Sequence, residues 1–244
     1  MGDVIAIVSG KGGAGKTTVC AALATALAQL GNSVLCVDCD AGMRSLDIYL
    51  GMGEQDMLSF TDVLSGAYEL SQAATHPDLP DLKVLTAPVN ATWKNVEEKA
   101  FEKLLQKARK KFRYILLDCP PGFGKCFSIA AGGADQCILI TLADPASVRG
   151  AVRAAEELEK LQAHQVRLVV NRVDSRRFAK MKLTVDDIMD ATGVGLLGLV
   201  PEDDNVFYAV CNGKTLIATT KKGAMAACRR IVNRLQGQTE PIGL

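Results

Sequence analysis

The chain has 244 residues, with 28 Lys plus Arg against 27 Asp plus Glu and a formal net charge of +1. That length suits one α/β domain with a large core, and the charge balance gives no support to bulk attraction for nucleic acid or an anionic membrane. No apolar run reaches the length of a membrane span, and the N-terminus lacks the charged-then-apolar pattern of a cleaved signal, so a cytoplasmic protein is expected.

Hydrophobic residues make up 48% and aromatics 5%, a balance that suits a buried parallel sheet under Ala-rich helices. Residues 4–8 are a β-branched apolar run and read as a buried strand. Residues 10–18 are Gly-Lys-Gly-Gly-Ala-Gly-Lys-Thr-Thr, and residues 19–30 follow with apolar positions at helical spacing. A second strand, 33–37, ends in Asp38-Cys39-Asp40-Ala41-Gly42. Residues 50–64 read as a loop and short helix starting near Ser59, 67–80 as linking material with Pro77 and Pro80, and 82–85 as a short strand. Residues 93–111 form an amphipathic helix, apolar at Val96, Phe101, Leu104, Leu105 and Ala108. Its charges, including Arg109-Lys110-Lys111, read as a solvated face.

A third buried strand, 114–117, ends in Asp118-Cys119-Pro120-Pro121-Gly122. Strands at 136–142 and 166–170 enclose a long helix at 146–163. The second of them ends in Asn171-Arg172, and the basic cluster of 175–182 reads as a solvated loop. A helix at 184–192, a strand at 195–200, the segment Pro201-Glu202-Asp203-Asp204-Asn205-Val206 and a closing helix at 222–235 complete the chain. The expected fold is one doubly wound α/β domain over 1–244, with a mostly parallel sheet of about seven strands and helices on both faces.

Strand, glycine loop and helix in succession are the context of a phosphate-binding loop. The glycines let successive backbone N–H groups point at an anion, and the following helix adds its positive end. Lys16 is placed to reach the β- and γ-phosphates, and the Thr17 hydroxyl to ligate Mg²⁺. Asp118, capping an apolar strand, is the Walker B aspartate expected to hold Mg²⁺ directly or through water. Asp38 and Asp40 stand where an α/β sheet places catalytic groups. The eight cysteines read as reduced core filler. Cys36 and Cys39 form a C-x-x-C, but their odd separation along a strand sends the thiols to opposite faces.

The sequence K-G-G-x-G-K-T-T at 11–18 resembles the deviant Walker A loop of the MinD/ParA family of P-loop ATPases. The stretch D-C-D-A-G-M-R-S-L-D at 38–47 is similar to the switch I of its MinD-type members, and P-E-D-x-x-V at 201–206 to their base loop. The resemblance covers nearly the whole chain. It implies an ATP hydrolase using ATP and Mg²⁺, a homodimer closed by ATP and opened by hydrolysis, and a role in division-septum placement. Gly12, Gly13, Ala14, Gly15, Lys16, Thr17 and Thr18 would hold the phosphates. Lys11 would reach the partner's nucleotide across the dimer, and Asp40 would orient the attacking water. Asp38, Thr17 and Asp118 would serve the metal. Asn171 and Arg172 would read the adenine, whose amide-like edge an Asn can pair, with Pro201 against the ring and Asp203 nearby. Division-inhibitor and activator proteins are the implied partners.

Three departures qualify what is carried over. Pro121 replaces an alanine in switch II, Gly150 stands where an aspartate follows Ser-Val-Arg, and residues 236–244 lack the basic amphipathic pattern of a membrane-targeting helix. Peripheral attachment at the inner membrane face is therefore left open. Other readings stay open too: a ParA-type DNA-partitioning ATPase, a flagellum- or pilus-placement ATPase, an iron–sulfur carrier of the same superfamily, and a nonhydrolytic scaffold.

Overall fold

A computed structural model describes residues 1–41, 43–88, 93–178, 180 and 182–243; Gly42 of the switch-like stretch and Leu244 of the tail lie outside the described residues. Among the described residues, eight strands form one sheet: β1 (Asp3–Val8), β2 (Val34–Asp38), β3 (Ala74–His76), β4 (Leu79–Leu85), β5 (Tyr114–Asp118), β6 (Gln136–Leu142), β7 (Val166–Val173) and β8 (Leu196–Pro201). Their order is β3-β4-β2-β5-β1-β6-β7-β8. All pairings are parallel except β3 with β4.

The strand beyond the expected seven is β3, inside the stretch read as linking material. Three residues with Thr and His among them carry no apolar run, so only pairing with β4 at the sheet edge makes them a strand.

The helices are α1 (Lys16–Gln29), α2 (Leu46–Tyr49), α3 (Phe60–Leu64), α4 (Glu98–Arg109), α5 (Lys125–Gly133), α6 (Pro145–Lys160), α7 (Ser175–Phe178), α8 (Val185–Thr192), α9 (Asp204–Cys211), α10 (Leu216–Thr219) and α11 (Gly223–Leu235). Alternate strand residues point to opposite faces, and this divides the core in two. Ile5, Ile7, Cys36 and Leu116 pack under α1 and α11. Val4, Ala6, Val8, Val37 and Leu117 pack under α4, α5 and α6. Cys36 and Cys39 fall in different halves, as their spacing requires. Cys36 instead meets Cys20 of α1, with sulfurs 3.6 Å apart. All eight cysteines are free, and only Cys211 is exposed.

One expectation fails in detail. Arg109 is not part of a solvated face: its guanidinium donates to Gly2 O at 2.9 Å and Gly133 O at 3.1 Å, and pairs with Asp135. It ties the ends of α4 and α5 to the start of β1, a role invisible in a helical wheel because its partners come from two distant segments.

Residues 236–243 fold back on α11, whose Arg234 also reaches β8. Arg234 donates to Leu197 O at 2.6 Å and Glu240 O at 3.2 Å, Asn233 Nδ2 to Glu240 Oε1 at 2.6 Å, and Arg230 to Gly243 O at 2.8 Å. No described helix is long and apolar enough to cross a membrane.

His76 secures β3 with both ring nitrogens. Nδ1 accepts from Asp78 N–H at 3.1 Å, so Nε2 carries the hydrogen and donates to Leu50 O at 2.9 Å. Burial pushes its pKa below the ordinary 6.5, despite the pull of the Leu50 carbonyl and Asp78. Below 6.5 the unfolded chain therefore binds the proton first, and stability falls as pH drops through that window. Urea unfolding from pH 7.5 down to 5 is expected to show this loss, and His76→Gln to flatten it. An identical pH slope in the variant would sink the assignment.

Candidate nucleotide site

β1 lies between β5 and β6, with the chain turning one way to β2 and later the other way to β6. The crevice beyond the carboxyl ends of strands at such a reversal is where open α/β sheets bind ligands. The loop of residues 9–15 fills it. Gly13 (φ 78°) and Gly15 (φ 87°) take the left-handed conformation that glycine permits, and Gly15 is the residue from which α1 starts. The free N–H groups of that first turn face the loop's concavity.

Lys16 is the first residue of α1 and is 7% exposed. Its Nζ donates to Ser9 Oγ at 3.0 Å, and the Ser9 hydroxyl donates to Lys11 O at 2.9 Å. Burial lowers the Lys16 pKa, while Asp118, the Cys119 thiol and Asp40 pull it back. Sequence reasoning missed Ser9; the signal was a lone hydroxyl between an apolar strand and the first glycine.

Asp38 and Asp118 are register partners in β2 and β5. Each lies two residues past a side chain buried on the α1 face, Cys36 or Leu116, so both carboxylates point toward the loop. Their surroundings differ. Asp38 accepts backbone N–H bonds from Asp40 at 2.8 Å, Ser45 at 3.0 Å and Leu46 at 3.1 Å. Burial still raises its pKa above the ordinary carboxylate value against those donors. It thereby shapes the turn that presents Asp40. Asp40 is half-buried, its pKa raised by burial and lowered by Lys16.

Asp118 is 1% exposed, and among the described residues no hydrogen bond reaches either carboxylate oxygen. Burial and the Asp38 charge push its pKa up to about 7, moderated by the nearby Thr17 hydroxyl and Lys16. A buried carboxylate without partners is costly unless a cation meets it. Among the described residues, no group of three or more His, Cys, Asp or Glu side chains is placed to hold a metal ion. Mg²⁺ is commonly bound by one or two protein oxygens together with substrate phosphates and water. Asp118 and Thr17 beside a phosphate loop fit that donor set.

A cleft of about 530 Å³ runs from the loop to the β7 and β8 ends. Gly12, Gly13, Gly15, Lys16, Thr17, Thr18 and Asp40 line one end; Asn171, Arg172, Pro201 and Asp203 line the other. Ala14 sits behind the loop, where its carbonyl accepts from Asn171 Nδ2 at 2.9 Å. Arg172 has left-handed φ (55°) and pairs with Glu202 at 2.8 Å. Asp203 caps α9 through Asn205 N–H at 2.9 Å and also accepts from Ala224 N–H of α11 at 2.9 Å. Lys11 lies at the rim with half its side chain exposed, 3.9 Å from Asp144 at the start of α6. Burial works against the Asp144 charge, but the Ser147 hydroxyl and N–H bonds, with Lys11, hold its pKa below the ordinary value. Val206, the last residue of the P-E-D-x-x-V segment, also lines the cleft, as do Tyr49 and Phe207; the latter two were not singled out from the sequence.

A model of the CobQ/CobB/MinD/ParA nucleotide-binding domain matches residues 5–217. The septum site-determining protein MinD of Synechocystis sp. is 33% identical over 99% of this chain and 92% of its own length. The chain belongs to the MinD/ParA family. It is a MinD-like ATPase with the P-loop NTPase fold. The MinD of the Aquifex aeolicus MinC:MinD complex superposes with a TM-score of 0.91 at 30% identity, covering 99% of this chain and 98% of that one. MinD of Pyrococcus horikoshii, solved with Mg-ADP, superposes with a TM-score of 0.82 at 25% identity over 96% of each chain.

Proposed function

We propose that this MinD-like ATPase acts in division-septum placement by cycling between an ATP-bound homodimer and separated ADP-bound subunits. The observation that carries the ATP·Mg²⁺ half of the reading is the buried, unpartnered carboxylate of Asp118 beside Thr17 and Lys16. Bound Mg²⁺ would supply charge neutralisation on the phosphates, held by Asp118 and Thr17. The protein's own groups would do the rest. The loop N–H groups of residues 12–18 bind and orient the phosphates. Lys16 leaves Ser9 Oγ to place its ammonium on the terminal phosphates. Asp40, held by the Asp38-centred turn, orients the attacking water. Asn171, Pro201 and Asp203 shape the base end.

The dimer reading is supported by Lys11, which stands at the cleft rim with a weak, half-exposed ion pair as its tether. In this reading it leaves Asp144 for the partner's nucleotide. The Aquifex MinC:MinD complex supports a division inhibitor as a binding partner. The near-neutral charge and the MinD relatives favour this reading over DNA partitioning. The cytoplasm is the proposed location.

Size-exclusion light scattering should show a dimer with ATP·Mg²⁺ and a monomer with ADP. Lys11→Ala should remain monomeric in both while still binding nucleotide. A dimer of unchanged strength in Lys11→Ala removes that lysine from the interface, and a monomer under all conditions removes the dimer cycle.

A further inference from the structure

Trp93 is the chain's one tryptophan, and it lies buried against the turn that carries Asp40. Its Nε1–H donates to Cys39 O at 2.6 Å, a partner 54 residues away in sequence. The ring is itself held. Phe60 of α3 stacks on it with centroids 5.2 Å apart, and Phe101 of α4 meets it edge-on, also at 5.2 Å.

The oxygen that Trp93 binds belongs to the peptide group between Cys39 and Asp40. The N–H of the same group donates to Asp38 Oδ1 at 2.8 Å. A peptide group is planar, so the two bonds together fix its orientation, and with it the direction in which the Asp40 side chain leaves the backbone. The carbonyl also accepts from Ala41 N–H at 3.0 Å, which closes a three-residue turn with Asp40 at its apex. On the other side, Cys39 N–H donates to Asp118 O at 2.9 Å and anchors the turn to β5.

We propose that Trp93 is a positioning residue for hydrolysis: through the Cys39 carbonyl it holds the peptide that aims the Asp40 carboxylate at the attacking water. The inference rests on the water-orienting role of Asp40 proposed above and goes beyond it by naming the group that sets its direction. Trp93 does not line the nucleotide cleft, so it acts on the chemical step and not on binding. When the indole N–H is removed, Ala41 N–H still reaches the carbonyl. The oxygen keeps a donor, and the turn loses direction more than stability.

The test is single-turnover hydrolysis of ATP·Mg²⁺ by the full chain at saturating protein, beside calorimetric binding of a β,γ-imido analogue of ATP. Trp93→Phe keeps an aromatic ring and removes the donor. It is expected to slow hydrolysis about ten- to hundredfold, the range for a reacting group displaced by up to ~1 Å, with analogue affinity unchanged. Benzothienylalanine, incorporated at the single tryptophan position, puts sulfur in place of the ring N–H in nearly the same shape, and should slow the step to the same degree without a cavity. Asp40→Ala should also slow hydrolysis, and adding Trp93→Phe to it should cost nothing more, because the group being aimed is gone. A tryptophan that only packs the core would impose its loss a second time.

Parent-like hydrolysis in the benzothienylalanine protein would overturn the proposal. So would an equal fractional loss from Trp93→Phe in the Asp40→Ala background, or a drop in analogue affinity as large as the drop in rate. If Asp40→Ala hydrolyses ATP at the parent rate, the water-orienting role of Asp40 fails first, and Trp93 has nothing to position.

Discussion

Asp118→Asn is expected to make the nucleotide-free protein more stable at pH 8 while removing its Mg²⁺-dependent ATPase activity. The native pKa of Asp118 is raised from 3.8 to about 7 by burial and by Asp38. Between those values the folded chain holds the proton and the unfolded chain has released it. Native binding of more protons means stability falls as pH rises, and above 7 the whole contribution is lost. Asparagine keeps the shape and never ionises, so its advantage should grow from pH 4 to 7 and then level off. One pKa unit corresponds to about 1.4 kcal/mol, which sets a ceiling of ~4 kcal/mol on that advantage. Relaxation and the nearby Lys16 would reduce it.

Hydrolysis should fall by about 10²- to 10³-fold, the usual cost of losing one preorganised charge-stabilising group. Chemical unfolding from pH 5 to 8 without Mg²⁺, paired with phosphate-release assays, measures both effects. A variant less stable than its parent at pH 8 would mean that Asp118 already has a compensating partner. Retained Mg²⁺-dependent turnover would remove it from the metal site.

Gly10→Ala is expected to disable the phosphate loop although Gly10 does not have the left-handed backbone of Gly13 or Gly15. A Cβ on Gly10 would lie 1.8 Å from the Gly150 carbonyl oxygen and 2.3 Å from its carbon. These are backbone atoms of α6, which cannot rotate away. The helix and the loop must part, at a cost of about 1–3 kcal/mol or more, and Lys11, Ser9 and Asp144 move with them. Nucleotide affinity should drop at least ~10-fold, the effect of a 1.4 kcal/mol loss of preorganisation. Gly12→Ala is the control, because its Cβ would meet nothing closer than Pro121 at 3.9 Å; its stability should stay within about 0.5 kcal/mol of the parent. Equal melting temperatures for the Gly10 and Gly12 variants would disprove the contact.

The same contact gives Gly150 a packing reason. Its own Cβ would stand 3.3 Å from Gly10 backbone and 3.5 Å from Lys11 Cβ. The departure from the aspartate of the resembling stretch therefore coincides with a close approach of α6 to the loop.

Local chemistry was enough to read the glycine loop, its flanking strand and helix, and the Asp residues ending 33–38 and 114–118. Strand periodicity, φ > 0 glycines and helix starts are written in neighbouring residues, which is why the doubly wound sheet and the family could be named from the chain alone. The α4 face was legible for the same reason, except at Arg109, whose three partners lie far away in sequence. The edge strand β3 was missed because it exists only through pairing.

At the site, the sequence assigned Mg²⁺ to Asp118 at its strand end and, by resemblance, a supporting metal role to Asp38, without distinguishing how each carboxylate is held. The fold did so by surrounding Asp38 with three backbone N–H groups and leaving Asp118 with none. Ser9 under Lys16, Gly150 against Gly10, and the hydrogen bonds of Asn171 to Ala14 and of Asp203 to Ala224 likewise appear only when separate segments meet. Residue type and local pattern determined which chemistry this protein carries. Desolvation and packing between segments far apart in the chain decided which of those groups are held, which are strained and which are free to act.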